Sequence, residues 1–166
     1  MDNRSEQTPP MWQVLNLSYG AGLTLEIAKK MLEAGQREAE KQGVPMAIAI
    51  TDAGGNLLAF SRMDNASLGS IQVAIDKAFT AVFGKMPTGD WISVFQAGKL
   101  VPLFLHERWI TFPGGFPIRS NRVLLGGIGV SGGTIEDVYV AKAALKAGGF
   151  SVDEVSGTLA ELTGKE

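Results

Sequence analysis

Apolar residues recur at helical spacing in three stretches of the chain. The first stretch is Thr24–Gln42, which has one apolar face, charged residues around the rest, and Gly43 after it. The second stretch has the clearest pattern, because its apolar stripe continues without a gap over Ile71–Phe83 before Pro87. The third stretch is Thr134–Ala147. These patterns predict three amphipathic helices, and a further short helix is predicted from residue 88 to residue 98.

Short apolar runs between these helices predict strands. Two runs flank the turn residues Asp52–Asn56 and so predict an antiparallel hairpin. The predicted strands are Met46–Thr51, Leu57–Arg62, Trp109–Phe112, Ile118–Asn121 and Val123–Val130. The order is α-β-β-α-(α)-β-β-β-α. Because hairpins rather than helical crossovers join the strands, we expect an α+β fold with a mostly antiparallel sheet and helices on its faces.

Length and composition favour a single domain spanning residues 1–166, with an N-terminal arm (1–18) and a C-terminal extension (150–166). The chain has no basic cluster and a net charge of -2, which excludes a nucleic-acid partner. It has no cysteine and one histidine, His106, so we expect no metal site built from these residues. The polar N-terminus and the lack of a long apolar run predict a cytoplasmic protein with no membrane contact.

The segment Arg108–Gly133 contains a candidate binding wall. Two prolines bracket Gly114 and Gly115 in an elbow at Pro113–Pro117, and glycines punctuate the strand that follows. Proline fixes the backbone and glycine permits close approach, so the elbow and the strand are expected to form one wall of a small-molecule pocket. A tight turn with packing glycines is the alternative interpretation.

Two charged residues are candidates for this pocket. Asp52 ends a central strand beside a glycine turn, where a carboxylate is a ligand anchor or, equally, ordinary turn chemistry. Lys77 lies off the apolar stripe of the second helix, together with Gln72, Asp76 and Thr80. A lysine stem running along the sheet would place its ammonium at a pocket rim, and a partly buried lysine has a lowered pKa. A surface lysine beside Asp76 is the alternative.

The triplet His106-Glu107-Arg108 has the side chains in this sequence that are best suited to acid–base chemistry and ligand binding. Histidine titrates near neutral pH and serves as a proton shuttle or an axial metal ligand, whereas Arg108 is suited to a carboxylate clamp. A lone histidine is also often incidental. Thr111 and Ser131 are further hydroxyl candidates for the same pocket. The Gly126–Gly133 segment lacks the Lys-Ser/Thr ending of a phosphate loop, so we interpret it as strand packing with a possible anion contact.

Five motifs in order resemble the GlcG/HbpS family, which includes haem-binding proteins and a domain attached to a corrinoid adenosyltransferase. The motifs are VPMAIAITDAGGN at Val44–Asn56, RMDNA with LGSI at Arg62–Ile71, DKAFTA at Asp76–Ala81, FPGGFP at Phe112–Pro117, and GGIGVSGG at Gly126–Gly133 followed by Asp137. The resemblance implies a profilin-like three-layer α/β/α sandwich around a five-stranded antiparallel sheet, and homo-oligomers. Asn65 stands where the family commonly has glycine, and the first helix lacks the histidine that some relatives use for haem.

Three functions remain open at this point. The first is a binding protein for a tetrapyrrole (haem or corrinoid) or a small anionic metabolite. The second is an enzyme of proton transfer on a hydroxy or keto acid, with Lys77 or His106 as base and Arg108 as clamp. The third is an accessory protein that uses the apolar segment Trp91–Trp109 as a contact surface. The predicted ligand-binding residues are Asp52, Lys77, Thr111, Phe112, Gly114, Gly115 and Ser131.

Overall fold

A computed structural model describes residues 22–98 and 106–152 of the chain. The predicted N-terminal arm and most of the C-terminal extension lie outside these residues. The helices are α1 (Leu25–Gln42), α2 (Leu68–Gly84), α3 (Trp91–Gln96) and α4 (Ile135–Ala147), with a 3-10 turn at Thr88–Asp90 before α3. The strands are β1 (Ala47–Asp52), β2 (Leu57–Arg62), β3 (Gly115–Ser120) and β4 (Val123–Ser131). None of the described helices is long and apolar enough to cross a membrane.

One antiparallel sheet of four strands, in the order β2-β1-β4-β3, forms the middle layer. Side chains alternate across it, as the pleat of a strand requires. Ala47 and Ala49 of β1 pack against α2 on one face, whereas Ile48 and Ile50 belong to the main core under α1 and α4 on the other. The predicted α+β class and the three-layer arrangement are therefore confirmed.

The predicted sheet of five strands is wrong for the described residues, because residues 109–112 do not form a strand. The N–H of Ile110 and the carbonyl of Phe112 bond to threonine side chains instead of to a neighbouring strand. The Thr80 hydroxyl accepts from the N–H of Ile110 at 3.1 Å and donates to the carbonyl of Arg108 at 3.1 Å. The Thr88 hydroxyl donates to the carbonyl of Phe112 at 2.6 Å.

The elbow is also shorter than the sequence indicated. Strand β3 begins at Gly115, so Phe116 and Pro117 belong to the sheet. Pro117 is tolerated there because β3 is an edge strand among the described residues, where a missing N–H removes no ladder hydrogen bond from a central strand.

Helix α2 packs unusually close to β4, and this changes which of its residues are buried. A Cβ atom at Gly129 would lie 2.0 Å from the carbonyl oxygen of Ala74, and one at Gly127 would lie 2.4 Å from that of Ala78. The glycines thus let the helix backbone rest on the strand. The predicted buried stripe is rotated as a result: Asp76, Lys77 and Thr80 are buried, whereas Phe83 is 59% exposed.

Candidate functional site

Lys77 lies at the centre of the site, on the face of α2 that meets the sheet. Its ammonium donates to the carbonyl of Val130 on β4 and to Oδ2 of Asp137 on α4, both at 2.7 Å. The two charged side chains are each only 3% exposed. A buried charge is costly unless it is paired and hydrogen-bonded, and each member of this pair supplies what the other needs.

The second partner, Asp137, is fixed from two directions. Its Oδ1 accepts from the backbone N–H of Gly133 at 2.8 Å, while its Oδ2 meets Lys77. Asp137 also lies in the first turn of α4, where the helix dipole favours a carboxylate. The loop before α4 and the ammonium of α2 therefore hold this side chain in one orientation.

Gly114 makes room for the ion pair. Its φ angle is +112°, a conformation that L side chains rarely adopt, and a Cβ there would lie 2.7 Å from the Cβ of Asp137 and 3.1 Å from the Nζ of Lys77. The neighbouring Gly115 donates its N–H to Thr88 Oγ1 at 3.0 Å. The predicted close approach of a glycine backbone therefore occurs here, and what it approaches is the buried ion pair.

Burial lowers the pKa of Lys77 below its usual value of 10.5, and the hydrogen bond and charge of Asp137 oppose that shift. Desolvation is the largest cause, because the ammonium has left water for the space between the sheet and the helices. The lysine is thus easier to deprotonate than an exposed one.

A cavity of about 490 Å³ opens beside the ion pair, and we call it the Lys77 cavity. It combines apolar walls with the charged pair and two hydroxyls. Its lining residues are Val73, Lys77, Phe112, Pro113, Ser131, Gly133, Thr134, Ile135 and Asp137. Phe112 is 68% exposed and Ile135 is 53% exposed, so two large apolar side chains reach solvent at this site. Three predicted ligand-binding residues therefore meet here: Lys77, Phe112 and Ser131.

A second cavity, of about 500 Å³, also has Pro113 in its wall, and we call it the Asp90 cavity. Its lining residues are Pro87, Gly89, Asp90, Pro113, Gly114, Gly115, Phe116, Val138, Lys142 and Val152. The sequence predicted one pocket, but the structure divides its residues between two. Gly114 and Gly115 line this second cavity and not the Lys77 cavity, although Gly114 backs onto the ion pair.

The predicted His106–Arg108 group is not among the residues lining either cavity. Arg108 donates through Nε to Oδ1 of Asp76 at 2.9 Å, and its guanidinium lies 3.9 Å from the centre of the Phe79 ring. The imidazole of His106 stacks on Phe79 at 5.6 Å, and its Nδ1 accepts from the N–H of Arg108. Arg108 therefore already has a carboxylate partner from its own chain.

Two other candidates lie away from both cavities. Asp52 is at the far end of β1, opposite Gly126, about 13 Å along β4 from the Val130 carbonyl that Lys77 contacts. Its Oδ1 accepts from the N–H groups of Gly54 at 2.8 Å and Asn56 at 2.9 Å, which is the turn arrangement considered as its alternative. Thr111 lines neither cavity.

Sequence reasoning missed two residues that shape the site. Asp137 was recognised only as part of a family motif, although an acidic residue in the first turn of a helix after a glycine-rich strand is a recognisable anchor. Thr88 bonds to both sides of Pro113–Gly114, and no local pattern marks a threonine for that role.

The ends of the predicted contact surface, Trp91–Trp109, are buried within the chain. Trp91 and Trp109 meet edge to face with ring centres 4.8 Å apart, in a small core cluster with Met86 and Val94. Residues 99–105 lie outside the described residues. Within the described part of the chain, no group of three or more histidine, aspartate or glutamate side chains is placed to hold a metal ion.

The family model described as "Haem degrading protein HbpS-like" matches residues 23–146. This chain belongs to the HbpS-like family. It is 36% identical over 129 residues to a 15.0 kDa protein of Citrobacter freundii encoded between dhaT and dhaS, a match that covers 75% of this chain and 91% of the relative.

Two further matches carry names that describe a ligand or an activity. The chain is 34% identical to the corrinoid adenosyltransferase PduO of Citrobacter freundii, over 75% of this chain but only 38% of that protein. Among solved structures, it resembles a PduOC:heme complex with a TM-score of 0.71 and 32% identity, covering 76% of this chain and 94% of that one.

Proposed function

We propose that this HbpS-like protein binds a tetrapyrrole such as haem and holds it in the Lys77 cavity. The observation that carries the proposal is the cavity itself, a space of about 490 Å³ with apolar walls beside one satisfied ion pair. Ligand pockets commonly have mostly apolar walls and a few fixed polar groups, and a tetrapyrrole has broad apolar faces with polar edges. The haem complex of a relative of similar fold supports the same ligand class.

The residues of the Lys77 cavity are better suited to contacting the apolar faces of the tetrapyrrole ring than to coordinating its metal ion. Val73, Phe112 and Ile135 provide apolar contact, and Ser131 and Thr134 provide hydroxyls. The single histidine, His106, is not among the lining residues and stacks on Phe79 instead. When bound, haem would supply its iron chemistry, whereas this chain would supply apolar burial and edge contacts. We therefore expect binding that does not depend on a histidine–iron bond.

The small-anion alternative fits the cavity less well. Lys77 is neutralised by Asp137 at 2.7 Å, so an added carboxylate or phosphate would meet an ion pair rather than a free cation. The added anion would also have to compete for Lys77 with Asp137, which is already desolvated and is held in place by the N–H of Gly133.

The test is a titration with haemin followed by absorption, together with iron-free protoporphyrin IX followed by fluorescence. Saturable binding of both is expected, with weaker binding in Phe112→Ala and Ile135→Asp. Ile135 begins α4, where an aspartate is tolerated in the first turn, so this variant should fold. Leu57→Asp is the matched control, because Leu57 is 50% exposed and lines neither cavity.

Failure of both ligands to saturate would refute the proposal, as would unchanged affinity in both cavity variants. His106→Ala is expected to bind haemin as the unchanged protein does. A loss of haemin binding in that variant, with protoporphyrin binding retained, would instead support an axial role for His106.

A second candidate function, proton transfer on a small hydroxy or keto acid, is favoured by one observation: burial lowers the pKa of Lys77, which lines the cavity. His106 and Arg108 are not brought to that cavity, so Lys77 is the base that this mechanism would use. Turnover of such an acid should disappear in the double variant Lys77→Met/Asp137→Leu and persist in His106→Ala. Turnover that survives the double variant would exclude Lys77.

A further inference from the structure

The Asp90 cavity contains a carboxylate with no partner among the described residues. Asp90 is the last residue of the 3-10 turn and precedes α3. Its side chain caps no backbone N–H and makes no hydrogen bond or ion pair with the described part of the chain. Burial raises the pKa of this carboxyl above its usual value of 3.8, because the charged form has lost water without gaining a donor. A donor supplied from outside the chain would relieve that cost.

The same cavity has a cation on another element. Lys142 projects from α4 into the lining of the cavity, and its ammonium has no carboxylate within ion-pair distance in the described part of the chain. Asp90 and Lys142 therefore contribute to one space of about 500 Å³ without pairing to each other. Asp90 would repel a ligand whose charged groups are all negative, and Lys142 would repel a ligand whose charged groups are all positive.

Apolar side chains also line the space between the two charges. Pro87, Pro113, Phe116 and Val138 provide rings and methyl groups, and Gly114 and Gly115 bring backbone close to the space. Hydrogen bonds hold both glycines: the carbonyl of Gly114 accepts from the N–H of Val130 at 3.0 Å, and the N–H of Gly115 donates to Thr88 Oγ1 at 3.0 Å. The cavity is therefore a preformed space with apolar side chains in its wall and one unpaired charge of each sign, a combination suited to a short carbon chain with opposite charges at its ends.

We propose that the Asp90 cavity binds a small amino-carboxylate, whose ammonium group meets Asp90, whose carboxylate meets Lys142, and whose carbon chain lies on the proline and phenylalanine surface. This site is separate from the Lys77 cavity and does not depend on tetrapyrrole binding. The two cavities have only Pro113 in common, so both are able to be filled in one molecule.

The experiment is a calorimetric titration of the full chain with glycine, 4-aminobutyrate and 6-aminohexanoate, which place the two charges at increasing separations. Butyrate and butylamine are the matched probes with one charge each. At least one amino-carboxylate should bind about tenfold more tightly than both single-charge probes, because each probe lacks one of the two charged hydrogen bonds, and tenfold in affinity corresponds to about 1.4 kcal/mol.

Two variants test which charge of the protein binds which group of the ligand. Asp90→Asn should lower amino-carboxylate affinity about tenfold or more and leave butyrate binding the same or stronger. Lys142→Glu should reverse the preference, so that 1,4-diaminobutane binds better than 4-aminobutyrate. The control is Lys146→Gln, one turn further along α4 and outside the cavity lining, which should bind as the unchanged protein does.

The proposal is overturned if no amino-carboxylate saturates the protein by about 10 mM, or if the single-charge probes bind as tightly. Unchanged amino-carboxylate affinity in both Asp90→Asn and Lys142→Glu would also overturn it. Thermal melting of each variant checks that it is folded when its affinity is measured. Amino-carboxylate titrations test this site whether or not haemin binds. If the unchanged protein binds haemin, Asp90→Asn should bind it with the same affinity, which separates the two sites.

Discussion

The ammonium of Lys77 lies 2.7 Å from Oδ2 of Asp137, although the two residues belong to helices in different layers. Helix α2 covers one face of the sheet, and α4 packs with α1 on the other. The pair meets beside Gly114, just before β3 begins, and Lys77 also bonds to the Val130 carbonyl on β4. One ion pair therefore connects both outer layers to the sheet at the wall of the Lys77 cavity.

Lys77→Met is expected to lower the free energy of unfolding by about 3–5 kcal/mol, because it leaves Asp137 charged, buried and without its partner. The double variant Lys77→Met/Asp137→Leu should recover most of that loss, since it removes both charges from the interior. Urea denaturation of the two single variants and the double variant measures the coupling. A loss below about 1 kcal/mol in Lys77→Met would contradict the buried pair.

Gly129→Ala is expected to destabilise the protein by about 3 kcal/mol or more, because the new methyl group would overlap the Ala74 carbonyl oxygen at 2.0 Å. Helix α2 would have to move off the sheet. Gly69→Ala, in the first turn of α2, is the matched control: its nearest neighbour would be the Ser67 hydroxyl at 3.7 Å. That variant should be neutral or stabilised by up to about 1 kcal/mol. Thermal or urea unfolding compares the two, and equal stabilities would refute close packing of α2.

Thr88→Val should destabilise the chain by about 1–3 kcal/mol and alter both cavities. The valine removes the hydroxyl that donates to the Phe112 carbonyl and accepts from the Gly115 N–H, leaving both backbone groups without that partner. Thr88→Ser retains the hydroxyl and is the control. Amide hydrogen exchange at Gly115 should speed up in the valine variant only; slow exchange in that variant would mean that Thr88 does not fix this turn.

Asp90→Asn is expected to stabilise the protein at neutral pH. The folded-state pKa of Asp90 is raised by burial, so ionisation costs stability as pH rises through that pKa. Below the usual value of 3.8, the carboxyl is protonated in both states and the ionisation cost vanishes. The stability difference between variant and unchanged protein should therefore grow from low to neutral pH. A difference that is constant with pH, measured by urea unfolding, would be inconsistent with a desolvated Asp90.

The positions of the helices followed from the sequence because their signals are local. Helix α1 was predicted as Thr24–Gln42 and is Leu25–Gln42, with Thr24 as its N-cap. The hairpin of β1 and β2 was likewise predicted from two short apolar runs on either side of a glycine turn. Motifs spread along the chain also identified the family.

Other features were decided by contacts between distant residues. The apolar stripe of α2 predicted a buried Phe83 and placed Lys77 off the stripe. Glycines about 50 residues later in β4 let the helix backbone approach so closely that Lys77 is buried together with Ala74, whereas Phe83 is exposed. Residues 109–112 have the composition of a strand, yet threonines on α2 and before α3 take their hydrogen bonds.

Propensity, periodicity and the order of motifs were enough to predict the class of fold and the family and to select Lys77 as a partly buried candidate, because these signals come from residues close together in the chain. The packing of the three layers was needed to see that Asp137 rather than Asp52 contacts Lys77, and that Pro113 lines two cavities rather than one. These features depend on how closely two layers pack across a sheet, and that distance is set by glycines that have no periodic signal of their own.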